Sequence, residues 1–249
     1  MTHAARPLLA ALTAAVLSAA LPAVAASHWE YTGHKGAAHW GEIDAAFAEC
    51  ASGHQQSPIN IDKTVKAALP ALSFHYGHAA PTIWNNGHTV QVNVPAGNTL
   101  EVGGQRYELL QFHFHTPSEE HIKGKPEPMV AHFVHKNEAG ELGVVAVLIR
   151  AGRSNAALAP VFEHLPRVGE KVTVDELSLD LGAVLPKSLG YYDFAGSLTT
   201  PPCSEGVHWM VLKEPVTLSA RQIASFRKLV GKNARPVQPL NARVVQESE

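Results

Sequence analysis

The stretch Tyr107-Glu108-Leu109-Leu110-Gln111-Phe112-His113-Phe114-His115 (YELLQFHFH) carries the clearest structural signal in the chain. Side chains alternate faces along a β-strand, so Gln111, His113 and His115 share one face while Leu110, Phe112 and Phe114 share the other. The aromatic face is built for packing, and the other holds two imidazoles at i, i+2. Working outward, short apolar segments alternate with Gly, Pro and Asn punctuation, which favours strands over helices. The predicted strands are Leu72–Tyr76, His88–Val94, Tyr107–His115, Val130–Lys136 and Gly143–Arg150. Asn85-Asn86-Gly87 is a tight-turn signal. Gly143–Arg150 (GVVAVLIR) is apolar on both faces and reads as a buried central strand. Helices are expected over Ala156–Leu165, Asp175–Val184 and Ala220–Val230. The last is the best signed, with Ser219 and Gln222 as a capping box, Gly231 as a stop, and Ile223, Phe226 and Val230 as its apolar stripe. The fold class is mainly β with peripheral helices. No linker or repeat interrupts residues 27–249, which are expected to form one domain.

Residues 1–26 (MTHAARPLLAALTAAVLSAALPAVAA) have a short basic start at Arg6, an apolar run from Leu8 to Leu21, and small residues at Ala23 and Ala25. This is the pattern of a cleavable secretory signal, cut after Ala25 or Ala26. A retained membrane anchor is the competing reading, but the run is short and no stop-transfer flank follows it. The expected location is therefore periplasmic or secreted. Export to an oxidising compartment favours pairing of Cys50 with Cys203 over two buried free thiols.

The 249 residues include 20 Lys+Arg against 22 Asp+Glu, so no basic surplus exists to neutralise nucleic-acid phosphates. No apolar stretch of membrane-spanning length occurs after residue 26. Two cysteines exclude a disulfide scaffold or a multi-cysteine metal site. Histidine is the abundant exception, at 15 residues, and it is the commonest metal ligand. His132, in MVAHFVHK, is a third candidate beside His113 and His115, on another strand, while His135 points the opposite way. Spacing alone does not select the third ligand. Three neutral imidazoles with one open position suit a catalytic zinc; copper, iron and nickel also accept imidazole.

Together with QFHFH, the motifs HW (39–40), QSPINI (56–61), NNGH (85–88), SEEH (118–121), AHFVH (131–135), GSLTTPPC (196–203), HWMVLKEP (208–215) and FRKL (226–229) make the sequence resemble the α-class carbonic anhydrases, in particular the bacterial periplasmic type. The resemblance spans nearly all of residues 27–249. It implies an α+β domain on a large, central, mostly antiparallel twisted sheet with short peripheral helices. It also implies zinc held by His113, His115 and His132, and reversible hydration of carbon dioxide to bicarbonate by a zinc-bound hydroxide. Thr199 would accept from that hydroxide and pass its own proton to Glu120. His88 would shuttle the released proton. Val134, Val144, Leu198, Thr200, Val207 and Trp209 would line the substrate pocket, and Tyr31, Asn86, Gln91 and Gln111 a polar wall, with Gln111 supporting a ligand imidazole. Weak hydrolysis of activated esters and a homodimer are further implications, as are cis peptide bonds before Pro58 and Pro202. Non-catalytic relatives typically lack one or more of the zinc histidines, whereas all three stand here. No G-x-S-x-G elbow supports a serine hydrolase.

Two positions depart from the family pattern. Val130 stands where many members have a Glu that orients the third imidazole, and Phe194 stands where a Tyr often joins the same buried network, beside His121. Losing both strands fewer polar groups than losing one. His132 then needs another acceptor, such as a backbone carbonyl.

Overall fold

The computed structural model describes residues 1, 27–173 and 178–249. The proposed signal segment lies outside the described residues, apart from Met1. Seven strands carry the centre of the fold: β1 (Thr82–Asn85), β2 (Val90–Asn93), β3 (Gln105–His115), β4 (Met129–Asn137), β5 (Leu142–Ala151), β6 (Tyr191–Ser197) and β7 (Glu205–Leu212). They hydrogen-bond in the order β1-β2-β3-β4-β5-β7-β6. Lys171–Thr173 extends one end of the sheet, and Gln246–Ser248 followed by Val65–Ala67 extends the other.

Most neighbours are antiparallel, as expected, but the sheet is mixed. β5 runs parallel to β7 and to Val216–Leu218, and Gln246–Ser248 runs parallel to Val65–Ala67. The parallel joint explains the doubly apolar GVVAVLIR, since β5 is buried on both faces. Val145, Val147 and Ile149 enter one core; Val144, Ala146 and Leu148 enter the other. The first core also takes the aromatic side of YELLQFHFH, where Phe112 stacks on Phe133 with ring centroids 4.8 Å apart. Helix α1 (Ala220–Val230) closes over it, laying Phe226 edge-on to Phe114.

Local chemistry sets most boundaries. The Ser219/Gln222 capping box and Gly231, at φ 78°, bracket α1 as predicted. The Asn-Gly turn joins β1 to β2, with Gly87 at φ 89°. The helix expected over Ala156–Leu165 shrinks to Ala159–Glu163, because Asn155 accepts the Leu158 N–H and Pro160 occupies the first turn. The expected Asp175–Val184 helix is not formed in its described part. There Leu179–Asp180 pairs with His78–Ala79, and Gly182–Val184 makes one 3-10 turn, with the Asp180 carboxylate taking the Ala183 N–H. Its residues 175–177 lie outside the described residues. The Ser57–Pro58 and Pro201–Pro202 bonds are cis, and so is Thr116–Pro117.

The loop after β6 is clamped from several sides. Cys50 and Cys203 form a disulfide across 153 residues of sequence. Gln56 donates to the Cys203 carbonyl at 2.9 Å, and Ser197 Oγ accepts the Ser57 N–H at 2.8 Å. Gly196 is required at this crossing, since a Cβ there would lie 2.2 Å from Ser57 Oγ and 2.7 Å from the Trp209 ring. Closing so long a loop restricts the unfolded chain. The Cys50→Ser/Cys203→Ser variant is therefore expected to lose about 2–5 kcal/mol of stability in urea titration, and reductant should bring the parent chain to the same midpoint. Equal midpoints for oxidised parent and variant would show that the bridge contributes nothing.

Candidate metal centre

β3 and β4 set the geometry by their register. His132 lies directly opposite His113, and His115 follows two residues on along the same face of β3. Ring centroids are 5.0 Å apart for His113–His115, 5.5 Å for His113–His132 and 4.7 Å for His115–His132. Each ring offers one nitrogen within 4.8 Å of the other two.

The remaining nitrogen of each ring already has an acceptor. His113 Nδ1–H donates to Gln111 Oε1 at 2.9 Å, and His115 Nδ1–H donates to the Asn233 carbonyl at 2.7 Å. His132 Nε2–H donates to the Glu120 carboxylate at 3.1 Å. These bonds fix the tautomers and leave His113 Nε2, His115 Nε2 and His132 Nδ1 as lone-pair donors. His115 Nε2 is buried and has no protein partner. Three convergent imidazole nitrogens with an orphaned buried lone pair among them fit a tetrahedral metal that keeps an open position. Burial, reinforced by His132, pushes His113 down to about 3, and the same effects push His115 well below its ordinary value. Both are therefore neutral and ready to bind metal at physiological pH. For His132, burial pulls downward, but Glu120 and then Glu119 outweigh it and hold the imidazole above its usual range.

The two adjacent carboxylates divide their work differently from the sequence expectation. Glu119, not Glu120, is the carboxylate on which Thr199 acts, its side chain drawing that pKa down. Glu119 Oε1 also accepts the Arg235 N–H at 2.7 Å. Burial, with Glu120 beside it, pushes the Glu119 carboxyl up to about 8 against the downward pull of His132, Thr199 and the Arg235 N–H. Glu120 turns away to the outer nitrogen of His132, and so supplies the acceptor that Val130 cannot. A backbone carbonyl was the expected substitute; a side chain two residues beyond Ser118 takes the place. Glu119 and Glu120 lie in a bend ahead of the short strand His121–Ile122, and this turn of the backbone sends the two carboxylates to different targets. The readable signal was the carboxylate missing at position 130 beside an extra one at 119–120.

The imidazoles floor a cleft of about 170 Å³. Val134, Val144, Leu198 and Trp209 form one side; Tyr31, Asn86, His88, Gln91 and Gln111 form the other, with Thr199 and Thr200 between. Val207 does not reach it. It packs with Ile59, Phe194 and Trp209 in the core, and the larger Trp209 on the same strand face is what meets the cleft. His88 is half-buried at the rim, stacked on Trp29 with centroids 3.7 Å apart. Burial, then His28, draws its pKa below the ordinary value, against a smaller upward pull from Glu30. Burial, then Glu119, pushes the Tyr31 phenol well up, so it remains a donor.

Sequence reasoning missed two residues from the C-terminal coil. Asn233 holds His115 by its carbonyl, accepts the Thr116 N–H, and donates to the Phe114 and His88 carbonyls. Arg235 holds Glu119 while its guanidinium reaches Gln56 Oε1 and the Ser57 and Cys50 carbonyls. Nothing in their local sequence marks them, because their partners are more than 100 residues away.

The family described as eukaryotic-type carbonic anhydrase matches residues 35–249. A carbonic anhydrase of Neisseria gonorrhoeae is 49% identical over 223 residues, covering 89% of this chain and 88% of that protein. One from Pectobacterium atrosepticum is 44% identical over 235 residues, covering 93% and 96%. Among solved structures, the Photobacterium profundum α-carbonic anhydrase superposes with a TM-score of 0.84 at 48% identity, over 88% of this chain and all of that one. The Thermovibrio ammonificans α-carbonic anhydrase, in complex with the inhibitor sulfanilamide, gives 0.87 at 43%, over 89% of this chain and all of that one. Residues 35–249, with the three convergent histidines at their centre, place this chain in the α-carbonic anhydrase family.

Proposed function

We propose that the chain is a zinc-dependent catalyst of the reversible hydration of carbon dioxide to bicarbonate, with His88 as its proton shuttle. The observation that carries this is the set of three inward-facing imidazole nitrogens at the floor of a cleft with one apolar and one polar side. Held by His113, His115 and His132, zinc would supply a water acidified toward neutrality as the nucleophile, an effect for which carbonic anhydrases are themselves the usual example.

The protein's part is orientation and access. With Glu119 taking the Thr199 hydroxyl proton in a hydrogen bond, the Thr199 oxygen would be left to accept in turn from the nucleophile and aim it, a reading supported by the pull of Thr199 on the Glu119 carboxyl. Val134, Val144, Leu198 and Trp209 offer an uncharged substrate an apolar place in the cleft that holds the metal-binding nitrogens. Tyr31, Asn86 and Gln91 face them across the cleft and support a hydrated path toward His88. His88 takes the product proton at the rim and releases it to solvent. Slow hydrolysis of activated esters is expected as a side activity. The disulfide fits an exported protein, in line with the reading of residues 1–26 as a signal, and no described helix is long and apolar enough to cross a membrane.

Purified protein is expected to bind one zinc per chain by elemental analysis, and His115→Ala to lose it. Stopped-flow assays of zinc-loaded protein should show fast CO2 hydration. Thr199→Ala and Glu119→Gln should each lower the rate by about 100-fold, with zinc content unchanged, because the nucleophile is no longer aimed. Full zinc without CO2 hydration in the parent chain would overturn the reading. His88→Ala should slow turnover by up to about 100-fold in weak buffer only, with recovery in concentrated imidazole. Since burial holds His88 below the usual imidazole range, its proton-accepting form persists to lower pH. The shuttle-limited rate should therefore rise through an inflection below about 6.5. A buffer-independent rate in both proteins would remove His88 from the path.

A further inference from the structure

We propose that Glu120 is a positioning residue for the metal site: it sets His132 for zinc in place of the carboxylate absent at Val130, and, with Val130 and Phe194 both apolar, it is the one acceptor at the outer nitrogen of that ring among the described residues. The proposal rests on the zinc reading above and adds how this particular chain secures its third ligand.

The surroundings of His132 leave few alternatives. Val130 lies two residues earlier on the same face of β4 and is fully buried with Val144, Ala146 and Phe194. Phe194 stacks parallel to Trp209, and Trp209 sets its ring edge-on to His132 with centroids 4.9 Å apart. Neither Val130 nor Phe194 can accept a hydrogen bond. Both Glu120 oxygens lie 3.1 Å from His132 Nε2. Glu120 has no exposed surface, and its Oε1 has no other hydrogen-bond partner. A buried carboxylate with a single imidazole partner is costly unless positive charge lies nearby, and a cation on the far nitrogen of that imidazole provides it.

The backbone carrying Glu120 is fixed independently of the site. Ser118 Oγ donates to the Glu120 carbonyl at 2.8 Å and accepts the Glu127 N–H at 2.8 Å. The following residue, His121, pairs in parallel with Asn60 and donates its N–H to the Ile59 carbonyl. The carboxylate therefore arrives from a loop anchored to Asn60–Ile61 instead of from the strand that bears the ligand. Its consequence is a locked Nε2–H tautomer of His132, with Nδ1 directed at the other two donors.

The test compares zinc binding with folding. Zinc affinity is measured by competition with a chromophoric chelator, zinc release by stopped flow, and the site geometry by the visible spectrum of the cobalt(II) form. Glu120→Ala is expected to bind zinc about 10–100-fold more weakly and release it correspondingly faster, with an altered cobalt spectrum. Glu120→Gln, which keeps the shape and an acceptor oxygen, should fall between this variant and the parent. It also serves as the test if Glu120→Ala fails to fold. Adding Val130→Glu to Glu120→Ala should recover affinity to within a few-fold of the parent. Parent-like zinc affinity, release and cobalt spectrum in a folded Glu120 variant would overturn the proposal. A parent chain that binds no zinc would instead sink the underlying site reading, and this proposal with it.

Discussion

The register between β3 and β4 is the constraint on which the site depends. With His132 opposite His113, and His115 two residues along, three imidazoles meet on one face of the sheet while Phe112, Phe114 and Phe133 fill the core on the other. Side chains alternate with a period of two, so slipping this pair by one residue would turn histidines into the aromatic core and phenylalanines into the metal site. The hydrophobic core and the ligand set therefore enforce the same register. Stability on one face guarantees geometry on the other.

Around that register the chain builds a second set of restraints from distant segments. Asn233 and Arg235 reach back from the C-terminal coil to His115 and Glu119, and Arg235 continues to the backbone of Cys50. The disulfide carries the connection on to the loop that presents Thr199. Buried polar groups pay a desolvation penalty unless they are paired, and here each of these pairs joins two parts of the site. His115, the Glu119 carboxylate and the loop bearing Thr199 are thus tied together through the C-terminal coil and the disulfide.

The buried carboxylates show how such a network tolerates exchange. Val130 and Phe194, which stand where the family resemblance leads one to expect a glutamate and a tyrosine, join the apolar cluster around Trp209. The acceptor is Glu120, at the outer nitrogen of the His132 ring. The need for a carboxylate at the outer nitrogen persists while the element supplying it changes.

By itself the sequence determined the strand at YELLQFHFH, the Asn-Gly turn, the capped helix at Ala220–Val230 and the doubly buried strand at residues 143–150. Each follows from local periodicity or from the backbone preferences of a few adjacent residues. Motif order was enough to assign the family and to nominate His113, His115 and His132. Tertiary structure decided which of two adjacent glutamates serves Thr199 and which serves His132, because that depends on how a bent loop is pinned against Asn60–Ile61. It decided that Val207 belongs to the core and that Asn233 and Arg235 belong to the site. Hydrogen bonds between residues more than 100 positions apart leave no local pattern, so only the folded chain brings them together.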